Sequence, residues 1–171
     1  MLRLVPVTMD LLDAAIAGDD ALARALGHDV TPGWMTFREA LHATRNALAA
    51  SPGSSTWGTR LFVSGEPPEL IGWGGFKGAP EGGVVEIGYE IAESRRGRGL
   101  ATAAARAMVA EACADEQVTR VIAHTLPERN ASNRVLEKVG FSDDGDHRED
   151  GELVWRYVLV RPPAQEERST G

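Results

Sequence analysis

The chain is 171 residues long, 43% hydrophobic and 25% charged, with a formal net charge of −7 and a single cysteine. That length suits one domain with a full core, and neither an apolar run of membrane-span length nor a basic-then-apolar leader is present. The acidic balance argues against nucleic acid or a membrane as partner and fits an amine-bearing one, while the lone cysteine excludes an internal disulfide and fits a reducing, cytoplasmic compartment.

Residues 1–6 read as a short first strand that Pro6 ends. Thr8 is placed to cap a helix to Ala17, Asp19 to cap a second, short turn, and Gly27 to stop it. Thr36 and Glu39 have the spacing of a capping box, which predicts a helix to Ala50. A loop at 51–55 leads to strands at 56–64 and 70–76, joined by a Gly/Pro turn. Residues 77–83 make another such turn. The run 84–92 alternates, with Val85, Ile87, Tyr89 and Ile91 on one face and Val84, Glu86, Gly88 and Glu90 on the other. A basic, glycine-rich turn at 95–99 precedes an Ala-rich helix at 100–114, spaced on Leu100, Ala104, Met108 and Ala112. A strand at 119–125 follows, then a helix at 130–139 that Gly140 stops. A hairpin of 141–149 and 153–160, turning at Asp150-Gly151, closes the set. Residues 1–162 thus read as one domain and 163–171 as a disordered polar tail. Periodicity alone makes the fold α/β.

The stretch 84–110 organises the rest. Strand, glycine-rich turn and helix form the local arrangement that cradles a pyrophosphate. Glycines let backbone approach closely, N–H groups at the helix start point outward, and the helix dipole adds partial positive charge. Arg95, Arg96 and Arg98 add full charges. A P-loop would need G-x-x-x-x-G-K-[ST], which is absent, and a dinucleotide fingerprint would need a small residue where Thr102 stands.

Arg96-Gly97-Arg98-Gly99-Leu100-Ala101 instead resembles the R/Q-x-x-G-x-G/A signature of the GCN5-related N-acetyltransferases (GNAT). Residues 130–141, NASNRVLEKVGF, resemble the second half of that domain in its RimJ/RimL-like branch. The likeness spans about residues 69–160. It implies a mixed, mostly antiparallel central sheet flanked by helices, with two central strands splayed at a bulge and the pantetheine arm in the gap. It further implies acetyl-CoA as cosubstrate, held by Arg96, Gly97, Arg98, Gly99, Leu100, Ala101 and Thr102. Backbone N–H groups at Ile91 or Ala92 are the implied oxyanion donors, and Asn130 or Asn133 would hold pantetheine or cap the helix. Dimers are common in this family, and the sequence leaves the oligomeric state open.

Acetyl transfer to an amine by direct attack makes three demands. The amine must lose a proton, the developing oxyanion needs a donor, and the departing thiolate benefits from an acid. Glu86 lies where the resembling enzymes often carry a base acting through water; a surface or salt-bridged carboxylate is the plainer reading. Glu90, on the same face, is the alternative base or an acceptor contact. Where many relatives carry a tyrosine acid, this chain has Leu136, which has no proton to give. Ser132 matches the serine that lies near the sulfur in the RimJ/RimL-like branch, although Arg129 stands where that branch has an asparagine. Trp34 is the candidate wall of the acceptor pocket, and Tyr89 is either core or an acceptor contact. Cys113 reads as a small buried hydrophobe, and the histidines have no metal-ligand spacing, so no metal is expected. Three readings follow: acetylation of a protein N-terminus or similar primary amine, acetylation of a small-molecule amine such as an aminoglycoside, and a non-catalytic acyl-CoA-binding regulatory domain.

Overall fold

In the computed structural model, which describes residues 1–163, one eight-stranded sheet runs through the chain. The tail expected beyond that point lies outside the described residues. The elements are β1 (Arg3–Pro6), α1 (Met9–Ala17), α2 (Asp19–Leu26), β2 (Asp29–Val30), α3 (Ala40–Ala50), β3 (Thr59–Ser64), β4 (Glu69–Phe76), β5 (Val84–Ile91), α4 (Leu100–Cys113), β6 (Arg120–Thr125), α5 (Ala131–Val139), β7 (Ser142–Glu149) and β8 (Glu152–Val160). The strand order is β1-β3-β4-β5-β6-β8-β7, with β2 beside β4. Pairing is antiparallel except at β5–β6 and the short β2–β4 contact. The mixed, mostly antiparallel sheet flanked by helices is the architecture that the resemblance implied.

The alternation of the strands buries two cores, one on each face. Phe62, Ile71, Val85, Ile87 and Ile91 pack against Ala104, Ala105 and Met108 of α4 and Leu136 of α5. Leu61, Val63 and Leu70 pack on the other face against Leu12, Leu22 and Leu41 of the N-terminal helices. The small alanines let α4 lie close to the sheet, as the Ala-rich periodicity predicts.

β5 and β6 pair only over Val84–Arg120, Val85–Val121 and Glu86–Ile122. Beyond Glu86, β5 stays with β4 as far as Ile91, while β6 continues along β8 to Thr125. This is the expected splay, but the bulge lies one strand away. Phe62 pairs with Gly72 and Val63 with Leu70, so Ile71 of β4 is the extra residue.

Several local expectations are corrected, the first two because a distant partner displaces a local one. Thr36 caps nothing: Glu39 precedes α3 without a side-chain cap, and Thr36 bonds Glu90 instead. Asp19 does not cap α2, because its carboxylate accepts from Trp34 Nε1 at 3.1 Å and Arg38 Nη1 at 2.7 Å. Residues 56–58 are not strand. A 3₁₀ turn covers Pro52–Trp57, and buried Arg60 donates to the carbonyls of Ser55, Thr56 and Gly58. The closing turn is as predicted, with Asp150 and Gly151 at φ 50° and 84° between β7 and β8.

The start of α5 is the best-satisfied helix terminus. Asn130 accepts from the N–H groups of Ser132 and Asn133 at 2.9 and 3.4 Å, and Asn133 Oδ1 accepts from Asn130 N–H at 2.7 Å. Asn133 is fully buried and also donates to Thr125 Oγ1 at 3.0 Å, tying α5 to the end of β6. Asn133→Ala should lower the unfolding free energy by about 2 kcal/mol, because it strips a cap and strands a buried N–H. Urea denaturation measures this, and an unchanged midpoint would show that the box does not hold the helix.

Candidate active site

The turn into α4 is built for an anion. Gly97 and Gly99 have φ of 75° and 74°, a left-handed conformation that side chains resist. Gly99 is the N-cap of α4 and no side chain caps that terminus, so the N–H groups of Leu100, Ala101 and Thr102 are left for a ligand. The three arginines are not equivalent. Arg95 pairs with Glu69 through two bonds, Nε–Oε1 at 2.6 Å and Nη2–Oε2 at 2.9 Å, and Thr31 Oγ1 donates to the same carboxylate at 3.0 Å. Arg95 is therefore a strut between the turn and β4 rather than a free charge. It holds the Glu69 carboxyl below the usual carboxylate range, against the upward push of burial. Arg96 Nε donates to the Ile91 carbonyl at 3.0 Å, and Arg98 is exposed.

The gap between β5 and β6 offers backbone. The Glu86 carbonyl accepts from Lys77 N–H, and Ala92 N–H donates to the Ile71 carbonyl at 2.8 Å, so even-numbered residues of β5 face β4. The odd-numbered residues Ile87, Tyr89 and Ile91 face the gap. Of the two expected oxyanion donors, Ala92 is thus already engaged and Ile91 is left. Unpaired strand backbone, an uncapped helix terminus and an open glycine turn, all on one side, fit the pantetheine and pyrophosphate of acetyl-CoA.

Tyr89 and Ser132 meet at the α5 end of the gap. The Tyr89 hydroxyl lies 3.1 Å from Ser132 Oγ. Burial pushes the Tyr89 phenol up, more than its bond to Ser132 brings it down, so it keeps its proton at neutral pH. Leu136 is fully buried in the core below. Asn130 and Asn133, expected at the pantetheine or in a cap, are both committed to the cap and to Thr125.

The opposite face of β4–β5 carries a row of cross-strand pairs. Trp73 stands opposite Glu90, Gly75 opposite Gly88, and Lys77 beside Glu86. The glycine pair leaves a notch; a Cβ at Gly88 would meet only Lys77 Cε, at 3.9 Å. The resulting cleft lies between Trp73, Phe76, Lys77 and Glu90. Both oxygens of Glu90 accept donors of the chain itself: Thr36 N–H at 3.1 and 3.2 Å, the Thr36 hydroxyl, and Trp73 Nε1 at 2.9 Å. Glu86 is bound differently. Lys77 Nζ at 2.7 Å and His124 Nδ1 at 2.8 Å both contact Oε1, and Oε2 has no partner among the described residues.

Trp34 requires a correction. It is fully buried, donates to Asp19 and stacks under Arg38 at 5.7 Å, so it is core between the N-terminal helices rather than an acceptor wall. Burial raises the Cys113 thiol, consistent with its reading as a small hydrophobe. Sequence spacing missed a grouping drawn from separate strands: ligand-type atoms of Glu86, His124 and Glu149 lie within 4.8 Å of one another. Lys77 Nζ sits between the two carboxylates, 3.2 Å from Glu149 Oε1. Burial disfavours its charge, but the bonds to Glu86 and Glu149 outweigh that and raise its pKa.

A family model described as an acetyltransferase (GNAT) domain matches residues 1–142. The chain belongs to the GNAT acetyltransferases. It is 32% identical over 160 residues to the uncharacterized N-acetyltransferase YjdG of Bacillus subtilis (strain 168), covering 92% of this chain and 94% of that one. Among solved structures, Mycobacterium smegmatis RimJ in complex with CoA-disulfide aligns at a TM-score of 0.63 and 24% identity, over 93% of this chain and 81% of the other. AAC(6')-Ib in complex with ribostamycin and coenzyme A aligns at a TM-score of 0.65 and 21% identity, over 99% of each chain. The protein is thus an N-acetyltransferase of this family, with acetyl-CoA as its cosubstrate. No helix among the described residues is long and apolar enough to cross a membrane.

Gly99→Glu should abolish the thermal shift that CoA produces while leaving the apo melting temperature lower by only a few degrees, since it costs about 1–2 kcal/mol of left-handed strain and sets a negative charge at the α4 N-terminus. An unchanged titration would show that the pyrophosphate binds elsewhere. Acid should loosen the same loop. Glu69 has a depressed pKa, so its pairing contributes fully above the ordinary carboxylate range and is lost as pH falls through its folded value. CoA affinity should therefore fall below about pH 4.5 more steeply in the wild type than in Glu69→Gln, as followed by fluorescence titration.

Proposed function

We propose that this GNAT enzyme acetylates the α-amine of a protein or peptide N-terminus, by direct attack of the amine in a ternary complex. The observation that carries the reading is Glu86, two residues before Gly88 on the same face of β5, with one oxygen held by Lys77 and His124 and the other without a partner among the described residues. A terminal amine has a pKa of about 8, against about 10.4 for a lysine side chain, so it needs little help to become neutral. A carboxylate already shared with Lys77 and His124 matches that smaller demand, acting through a water in the notch.

Acetyl-CoA supplies the acetyl group activated as a thioester. Leu100, Ala101 and Thr102 N–H groups, with Arg96 and Arg98, hold the pyrophosphate at the α4 terminus. Ile91 N–H donates to the carbonyl oxygen as it gains charge. Glu86 takes the amine proton. Ser132 and Tyr89 offer O–H donors to the departing sulfur, in place of the helix tyrosine that Leu136 rules out. Glu90, with Thr36 and Trp73 on both its oxygens, positions the loop before α3 over the cleft. The exposed Phe37 of that loop contacts the residues that follow the acceptor amine.

A thiol-release assay tests the reading with acetyl-CoA and a panel of Ala-, Ser- and Met-terminated peptides, ribostamycin and spermidine. Turnover confined to peptides is expected. Preference for ribostamycin or spermidine would replace the proposed acceptor with a small-molecule amine, and CoA stabilisation without any turnover would favour an acyl-CoA-binding module. Glu86→Gln should keep CoA affinity and lose about 100-fold or more in kcat. Tyr89→Phe should lose about tenfold in kcat, the worth of one hydrogen bond to charge, with the acetyl-CoA KM unchanged. Wild-type kcat in Tyr89→Phe would remove the phenol from the mechanism.

A further inference from the structure

A chain of side chains leads away from Glu86 across the open face of the sheet. Arg156 Nε on β8 donates to His124 Nε2 at 3.1 Å, and His124 Nδ1 on β6 lies 2.8 Å from Glu86 Oε1 on β5. His124 and Glu86 are shielded, with side chains 9% and 17% exposed. An arginine N–H only donates. Nε2 must therefore carry the lone pair, and the ring proton must sit on Nδ1, where it donates to Glu86. Arg156 thus fixes the tautomer of His124, and His124 with Lys77 saturates one oxygen of the carboxylate.

We infer that Arg156 and His124 are positioning residues for the base: they set a single histidine tautomer that clamps Oε1 of Glu86 and leaves Oε2 without a partner among the described residues. This rests on the reading of Glu86 as the base. The clamp has a steric side as well. Glu86 sits at the last paired position before the strands part, and His124 on β6 holds its side chain from across the mouth of the gap. Without it the carboxylate is free to swing with Lys77, whose ammonium is half exposed and shared with Glu149. The same tautomer argues against a metal at Glu86, His124 and Glu149. A cation on Nδ1 would push the ring proton onto Nε2, against the Arg156 N–H.

Three measurements on the intact enzyme test the inference, with acetyl-CoA and an Ala-terminated peptide, or the amine that the panel selects. The ¹⁵N spectrum of wild type should show His124 with its proton on Nδ1, and Arg156→Met should move it toward a mixture; an Nε2–H ring in wild type overturns the proposal. Arg156→Met and His124→Leu should each lower kcat about tenfold, the loss of one such hydrogen bond, with the acetyl-CoA KM unchanged. His124→Asn, whose amide N–H can replace the Nδ1 donor, should recover most of the loss. Wild-type kcat in Arg156→Met and His124→Leu, alongside an inactive Glu86→Gln, would sink the positioning role and leave the base in place. Undiminished turnover in Glu86→Gln would instead remove the base reading itself. Should His124→Leu fail to fold, Arg156→Met and the tautomer still decide.

Discussion

The parting of β5 from β6 after Glu86 is the constraint on which the rest of the structure depends. Three paired positions are followed by a stretch in which Ile87, Tyr89 and Ile91 turn backbone toward a strand that has moved away. Backbone groups left unpaired in an interior are costly, on the order of 1–3 kcal/mol each. A strand edge of this kind persists only if both lips of the gap are held by other means. On one lip, β4 binds β5 through to Ala92, and the Glu69–Arg95 pair ties the following turn to β4. On the other, β8 holds the far edge of β6 through to Thr125, and Asn133 locks α5 to that last residue of β6. The opening is therefore a fixed feature, complementary to an extended ligand that supplies its own amide groups.

From this geometry follows a division of labour along one strand. The period of two sends Tyr89 to the side of α4 and α5, and Glu86, Gly88 and Glu90 to the side of the N-terminal helices. In the proposed mechanism, cosubstrate groups and acceptor groups are thus separated by the thickness of a sheet and joined through the gap. Gly88 matters here for what it lacks, since any larger residue would fill the notch between the two carboxylates. Register is correspondingly strict, because a slip by one residue would exchange the two sets.

How much of this was legible in the sequence depends on the reach of the interaction. The alternation of 84–92, the glycine turn and the Ala-rich helix are local, and they form as periodicity predicts. The asparagines at the start of α5 were readable as caps for the same reason. Thr36 was not. Its spacing from Glu39 imitates a capping box, but its partner is Glu90, 54 residues away. Asp19 was likewise taken from its helix by Trp34 and Arg38, which removed Trp34 from the acceptor side. The grouping around Glu86 had no signal at all: Lys77, His124, Glu149 and Arg156 come from the edges and middles of four segments, and only strand order β4-β5-β6-β8-β7 brings them together.

The leucine at position 136 shows why a motif difference has to be weighed in three dimensions. In sequence it removes an acid and weakens the case for catalysis. In the fold, Leu136 packs fully buried under the sheet, and a phenol reaches Ser132 in the first turn of α5 from Tyr89 on β5. In the proposed mechanism the base, the oxyanion donor and the phenol then stand at Glu86, Ile91 and Tyr89, within one strand. Their mutual distances are set by strand geometry, which is stiffer than the packing of a helix against a sheet. Motion of α5 would move Ser132 relative to the sulfur but leave the other three groups in register.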